Sequence, residues 1–331
     1  MYMEHILIII LIALALIFDF LNGFHDSANV VATMISSRAM TPTAALLIAS
    51  TANFIGPFIF GVAVANTIGK DVALLSSITI AVVLAALLSA SIWNLITWFF
   101  GIPSSSSHAL IGGIVGAVLV GSGVQALKFE GLAVIGLALF LSPVLGFILG
   151  QVTMRVSMWA VRNATPKANL IFKYAQIPTA FALALSHGTN DAQKTMGIIT
   201  MGLVVLGYQQ EFHVPWWVIL SSAAAIGIGT AMGGWRIIHT LGGKFYRIRP
   251  IHSFTSQLSS MVVILGASLF GGPVSTTHVV SSSIIGVGAA HRKSMVRWGV
   301  MSDILIAWFL TVPVTAGLAA LLYYLVEYLI P

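Results

Sequence analysis

A polar phrase written twice inside an apolar chain limits what this sequence can fold into more than any other feature. Gly23-Phe24-His25-Asp26-Ser27-Ala28-Asn29 returns as Gly188-Thr189-Asn190-Asp191-Ala192-Gln193-Lys194. Pro103-Ser104-Ser105-Ser106-Ser107-His108 returns as Pro273-Val274-Ser275-Thr276-Thr277-His278. Asp26 and Asp191 lie 165 residues apart, and His108 and His278 lie 170 apart. A weaker pair, Thr67-Ile68-Gly69 and Thr240-Leu241-Gly242, falls between them in both stretches. One order of motifs repeated at nearly one spacing is the mark of duplication. Polar side chains cost several kcal/mol in the middle of a membrane, so keeping two copies requires a use for them. A substrate site shared between two repeats is such a use.

The surroundings of the motifs are those of a membrane. Hydrophobic residues make up 58% of the chain and charged residues 7%, against about 25% charged in a soluble domain. The apolar runs are long enough for helices, which need about 20 residues to cross, and lack the alternation of a β-barrel. There is no cysteine, hence no disulfide framework and no thiolate metal site. The stretch 6–18 resembles a signal-peptide core, but Glu4 precedes it, no basic flank does, and it runs directly into the first motif. It is read as mature structure.

A net charge of +6 invites comparison with nucleic-acid binders, but its placement argues for topology. Arg38, Arg155, Arg162, Lys167, Lys173, Arg236, Lys244, Arg247, Arg249, Arg292, Lys293 and Arg297 sit in loops or their flanks that alternate along the chain. Only Lys70 and Lys128 fall in the other set of loops. Basic loops face the cytoplasm, so this asymmetry puts both termini outside and leaves no nucleic-acid footprint. It holds only if segments 73–100 with 103–122, and 252–270 with 273–290, are re-entrant hairpins. Full crossings would put Arg292, Lys293 and Arg297 outside. Non-helical backbone at that depth has to be satisfied by protein or by a water-filled cavity. The expected fold is therefore an all-α polytopic membrane protein of two inverted-topology repeats, each with a broken helix and a re-entrant helical hairpin. The repeats are expected at 1–155 and 174–331, joined by a cytoplasmic linker at 156–173.

Within the first segment Asp19, Asn22, Asp26, Asn29 and Thr33 are spaced 3, 4, 3 and 4, which gathers them on one helical face. Gly23 predicts a local break there. In the second copy His187, Asp191 and Lys194 keep the spacing, with Asn190 beside them. Carboxylate and amide oxygens suit a small hard cation; interhelical hydrogen bonding alone explains a single Asn or Thr, but not a duplicated Asp. Asn22, Asp26, Asn29, Asn190 and Asp191 are the candidate cation ligands. Lys194 stands where the first copy has Asn29 and pairs with Asp191 three residues earlier, so it takes the place of a cation in the second half.

Proline followed by hydroxyl residues at the head of an apolar run reads as a helix N-terminus. Its free N–H groups and the positive end of the dipole attract anions. N-capping explains one such copy; two, each ending in histidine, point to a tetrahedral oxyanion held by Ser105, Ser106, Ser107, Ser275, Thr276 and Thr277. His108, His278 and His25 are assigned supporting roles, and no third histidine completes a zinc site with them.

These motifs resemble those of the inorganic phosphate transporter (PiT) family of sodium- or proton-coupled carriers. The resemblance covers essentially the whole chain and extends through Ala307-Trp308-Phe309-Leu310-Thr311-Val312-Pro313. It implies an inverted-repeat carrier in the prokaryotic plasma membrane, assembling as a homodimer. It also implies cation contacts at Asp26, Asn29, Asn190 and Asp191 and phosphate contacts around Ser105–Ser107 and Ser275–Thr277. His25 stands where the family has Asn, and Asn53 and Gln257 stand where animal members carry glutamates. The expected function is import of inorganic phosphate by symport with Na⁺, without an organic cofactor and without enzymatic activity. Proton coupling and sulfate transport remain open alternatives. A passive anion channel leaves the acidic motifs unexplained, and an intramembrane Ser/His hydrolase lacks a nucleophile elbow.

Overall fold

The computed structural model describes residues 2–330; the expected outer bounds at 1 and 331 lie outside them. The first half runs through α1 (Tyr2–Ser36), α2 (Pro42–Ile59), α3 (Ala63–Lys70), α4 (Ile80–Phe100), α5 (Ser106–Gly121) and α6 (Phe129–Ala160). The second runs through α7 (Ala168–Val205), α8 (Trp216–Met232), α9 (Trp235–His239), α10 (Pro250–Leu269), α11 (Thr276–His291) and α12 (Trp298–Leu329). A π-helical turn, Thr240–Lys244, continues α9. Among the described residues, helices α1, α2, α4, α6 and α12 are long and apolar enough to cross a membrane, and α8 with α9 and its π-helical turn adds a sixth when the two pieces, bent by 59° at their break, are counted as one span.

Local chemistry sets many of the ends. The Thr41 hydroxyl caps α2 by accepting from the Ala44 N–H, ahead of Pro42 in the first turn. Thr79 does the same for α4 through Val82. Gly101 and Gly271, with φ of 66° and 75°, turn the chain at the ends of α4 and α10 through a conformation that side-chain-bearing residues avoid. Ser105 and Ser275 then cap α5 and α11 by accepting from the N–H groups of His108 and His278.

Each half contains a broken helix, but not where Gly23 predicts one. Helices α1 and α7 continue unbroken through Gly23 and Gly188. The breaks fall between α2 and α3, and between α8 and α9 at Gly233-Gly234. The motif glycines serve close packing instead. A Cβ on Gly23 would strike the Ile226 carbonyl of α8, and one on Gly188 the Asn53 carbonyl of α2. Reciprocally, Gly229 of α8 meets the Phe20 carbonyl and Gly56 of α2 meets the Leu185 carbonyl. Small residues let crossing helices approach where lipid offers no hydrophobic drive. Both a break and a close crossing call for glycine, so spacing alone did not separate them.

The packing is reciprocal throughout. Helix α1 lies on α8 as α7 lies on α2, and each hairpin's second arm packs on the other half's last helix, α5 on α12 and α11 on α6. Gly112 and Gly116 admit Val312 and Ala316, while Gly146 and Gly150 admit Val279 and Ser283. Such exchange of equivalent contacts is what a two-fold relation produces.

Helix α1 spans the molecule, with His5 bonded to Tyr208 near its start and Ser36 against Gly242 at its end. Lys70 and Lys128 are joined at the first end, and Lys244 and Arg297 at the other. Helix α4 sets out from the first end and α10 from the second, and the hairpin tips meet midway. There the Ser107 hydroxyl donates to the Val274 carbonyl at 3.0 Å. Two hairpins that each crossed completely would leave their tips at opposite surfaces. One apolar core packs Leu11, Phe18, Leu87 and Met196 toward the first end, another packs Met34, Leu183, Phe245 and Ile284 toward the second, and the polar motifs lie between.

Candidate substrate and cation site

Asp26 of α1 and Asp191 of α7 face each other across the tip of α11. The Thr276 hydroxyl lies 3.1 Å from Asp26 Oδ2 and 3.1 Å from Asp191 Oδ2. Its single proton serves one carboxylate at a time. Thr277 donates to Asp26 at 3.1 Å and accepts from the Asn29 amide at 3.0 Å. His25 Nδ1 lies 2.7 Å from Asp26 Oδ1, and its Nε2 reaches Thr97 of α4 at 3.3 Å. All these side chains are buried.

Asp191 has charged company. Lys194, one turn on, pairs with its Oδ1, as the spacing predicts. The same ammonium group donates to Ser107 Oγ at 2.5 Å and to the Val274 carbonyl at 3.1 Å. One buried cation thereby joins α7 to both hairpin tips, with all three of its protons engaged.

His187 occupies the space between the carboxylates. Its Nδ1 lies 3.1 Å from the Asn53 side-chain oxygen, whose amide nitrogen donates to Thr230 Oγ1 at 2.8 Å. Nδ1 is therefore the donor. Nε2 lies 3.1 Å from Asp191 Oδ2 and 3.8 Å from Asp26 Oδ2, aligned with neither as a hydrogen bond. A neutral ring would turn a lone pair toward two anions there. A proton on Nε2, or a cation among the three groups, removes that repulsion. Asp26, His187 and Asp191 offer ligand atoms within 4.8 Å of one another.

At the hairpin tips the first bonds internal to α5 and α11 come from Ala109 and Val279. The N–H groups of Ser106 and Ser107, and of Thr276 and Thr277, lie outside those helical ladders, as first-turn donors do. They point the positive ends of two helices into one buried centre. The oxygens of Ser105 and Ser275 are engaged as caps. His108 Nδ1 lies 2.8 Å from Ser105 Oγ. His278 stacks on Trp308 with ring centroids 3.8 Å apart and meets His108 at 4.5 Å. Both histidines buttress the tips.

Two residues of the expected cation set stand apart. Asn190 donates to Ser268 at 2.8 Å and to the Gly272 carbonyl at 3.2 Å, tying α7 to the end of α10. Asn22, a turn before His25, has no hydrogen-bond partner for either polar atom among the described residues. Sequence reasoning missed Asn53, Thr97 and the Val274 carbonyl as members of the network. Asn53 is the one amide side chain of α2, two residues after Ser50-Thr51. It also missed Ser27 and Gln193 as caps at the helix breaks. Ser27 Oγ accepts from the Gly234 N–H at 2.8 Å, and Gln193 Oε1 accepts from Val64 at 2.8 Å.

Comparison with known proteins agrees with this architecture. The sequence model of the phosphate transporter family matches residues 22–169 and 159–319. The chain is 45% identical over 328 residues to the "probable low-affinity inorganic phosphate transporter" of Bacillus subtilis (strain 168), covering 97% of this chain and 98% of that protein. It is likewise 45% identical over 320 residues to a protein of the same description from Rhizobium meliloti (strain 1021), covering 96% of each. Among solved structures it superposes on a sodium-dependent phosphate transporter with a TM-score of 0.90 and 27% identity, over 98% of this chain and all of that one.

Proposed function

The chain belongs to the phosphate transporter family, a multi-pass membrane family of carriers rather than enzymes, and on that premise we propose that it imports phosphate by symport with Na⁺. Phosphate is held by Ser106, Ser107, Thr276 and Thr277, through backbone N–H groups and hydroxyls. Na⁺ is held at Asp26 and Asp191, with Asn29 nearby. The basic end carrying Lys244 and Arg297 is the cytoplasmic one. The halves, 1–155 and 174–331, rock about this centre across the linker at 156–173, and the carrier works as a homodimer.

One observation carries the reading: two helix N-termini converge on two carboxylates that share the Thr276 hydroxyl, and the one fixed ammonium group there, Lys194, pairs with Asp191 alone. Each N-terminus contributes about half a positive charge. Two carboxylates and a phosphate together exceed Lys194 and two half-charges, so the anion enters this centre only with added cations. That imbalance couples phosphate to a cation gradient and makes the loaded site nearly neutral, as reorientation across hydrocarbon requires.

The place of His187 supports a second reading. A proton on Nε2 answers the same repulsion that Na⁺ would, so proton coupling draws on the same three side chains. The test is uptake of labelled phosphate and sulfate into liposomes under separate Na⁺ and H⁺ gradients. Accumulation driven by Na⁺ alone is expected. Accumulation driven only by H⁺ transfers the coupling to His187, and conductance without accumulation sinks the carrier.

A further inference from the structure

Outside the centre lies a second set of buried polar groups that the central site does not use. Asp19 and Asn22 of α1 and Ser91 and Asn94 of α4 are all buried, with Asp19, Asn22 and Asn94 at 0–1% exposure. Both carboxylate oxygens of Asp19, both polar atoms of Asn22 and Asn94, and the Ser91 hydroxyl have no hydrogen-bond partner among the described residues. The Thr195 hydroxyl of α7 approaches the Asp19 carboxyl without closing a hydrogen bond.

Helices α1 and α4 run parallel here and in fixed register. Ile10, Leu14 and Ile17 share a groove with Leu84 and Leu88, and His25 meets Thr97. The same register brings Asn22 and Asn94 to one level along the two helices and Asp19 and Ser91 to the next, one helical turn away. Asp19 lies seven residues before Asp26, about 10 Å along the helix, so the cluster is separate from the carboxylate pair.

The fold does not demand these residues. In the second half α7 and α10 make the equivalent contact, in equivalent register, from Asn190 with Ser268 and Thr179 with Gln257. There Ala184 stands for Asp19, Met261 for Ser91 and Ile264 for Asn94. Apolar residues do the same packing at those three positions, while Asn22 has a polar counterpart in His187. Leaving a carboxylate and two amides buried and unpaired costs several kcal/mol, so the first half carries them for a ligand.

We propose that Asp19, Asn22 and Asn94, with the Ser91 and Thr195 hydroxyls, form a second cation site, taking a dehydrated monovalent alkali cation of the size of Na⁺. One carboxylate, two amide oxygens and two hydroxyls are hard donors of the kind that replace a hydration shell. A bare proton would satisfy Asp19 and leave both amides stranded. The site lies on the side of the centre toward Lys70 and Lys128. It rests on the carrier reading only for its effect on transport; binding is independent of it.

The experiment is equilibrium binding of ²²Na⁺ to the purified full-length protein without phosphate, together with thermal melts in Na⁺-free and Na⁺-containing buffer. Asp19→Asn and Asn94→Ile, the latter copying Ile264, are each expected to bind about one Na⁺ fewer per chain than wild type. They should melt no lower than wild type in Na⁺-free buffer and lose part of the Na⁺-induced rise in Tm. Unchanged ²²Na⁺ binding in both variants overturns the site, as does a lower Tm in Na⁺-free buffer, which marks a structural role. Loss of Na⁺ only in Asp26→Asn overturns this site and leaves the carrier reading intact. Loss of one Na⁺ in Asp19→Asn alongside normal Na⁺-driven uptake in Asp26→Asn keeps this site and removes the central assignment.

Discussion

At the second copy of the aspartate motif the protein supplies its own countercharge. Asp191 is paired with Lys194, and His187 beside it is held by Asn53. At the first copy Asp26 is held by the hydroxyls of Thr276 and Thr277 and by His25. Asn29 stands where Lys194 does, and Asn22 stands where His187 does. The crossing helix differs in the same sense: Asn53 of α2, which engages His187, is matched in α8 by Ile226, which offers Asn22 nothing. Duplication thus produced one frame and two electrostatic environments. The second copy carries a built-in cation beside its aspartate, and the first copy has none and leaves both oxygens of Asp19 and the Asn22 amide unpaired among the described residues.

The comparison breaks most visibly at Lys194. Asp191→Asn strands a buried ammonium group, and breaking such a pair costs about 3–5 kcal/mol. Chemical or thermal unfolding of the purified protein should show that loss, and Asp191→Asn with Lys194→Met should recover most of it. Asp26→Asn strands no lysine and keeps the Thr276 and Thr277 hydroxyls as hydrogen-bond partners, so it should fold nearly as well as wild type. Its Na⁺-driven phosphate uptake should nevertheless fall by roughly 100-fold, equivalent to about 2.7 kcal/mol. Equal stability losses in the two variants would erase the distinction drawn here.

Smaller effects sharpen what the halves share. Gly23→Ala and Gly188→Ala each push a methyl group into the carbonyl of a crossing helix, and overpacking of this kind costs about 1–3 kcal/mol. Matched drops in Tm are expected, whereas a glycine acting as a hinge would change uptake without changing Tm. The smallest change is at the hydroxyl shared between the copies. Thr276→Val should raise the phosphate concentration for half-maximal uptake by about 10-fold, the loss of one hydrogen bond of roughly 1.4 kcal/mol, with little change in Tm.

Much of this was legible in the chain. The length of the apolar runs gave the helical class, the order of motifs gave the repeat, and Pro103 and Pro273 with their hydroxyl runs gave the tips. The i, i+3 spacing gave the Asp191–Lys194 pair, because both residues lie on one helix whose geometry is fixed. The assignment of Gly23 to a break failed because its neighbour, Ile226, is 203 residues away. Asn22 shares the helical face of Asp26 and Asn190 adjoins Asp191 in sequence, yet Asn22 lies a turn away along α1 and Asn190 is bonded to Ser268 and the Gly272 carbonyl.

The sequence by itself determined that this chain lives in a membrane, that it was doubled, and which residue types fill its centre. Hydropathy, charge bias and helical period are local properties, and each helix expresses them alone. Only the tertiary structure decided that Thr276 lies between both aspartates, that Lys194 reaches both tips, and that Asp19 and Asn94 meet no hydrogen-bond partner among the described residues. Those facts belong to crossings between helices up to 250 residues apart in sequence. Their register is set by the summed close contacts at glycines such as Gly56, Gly112 and Gly229, which no single helix contains.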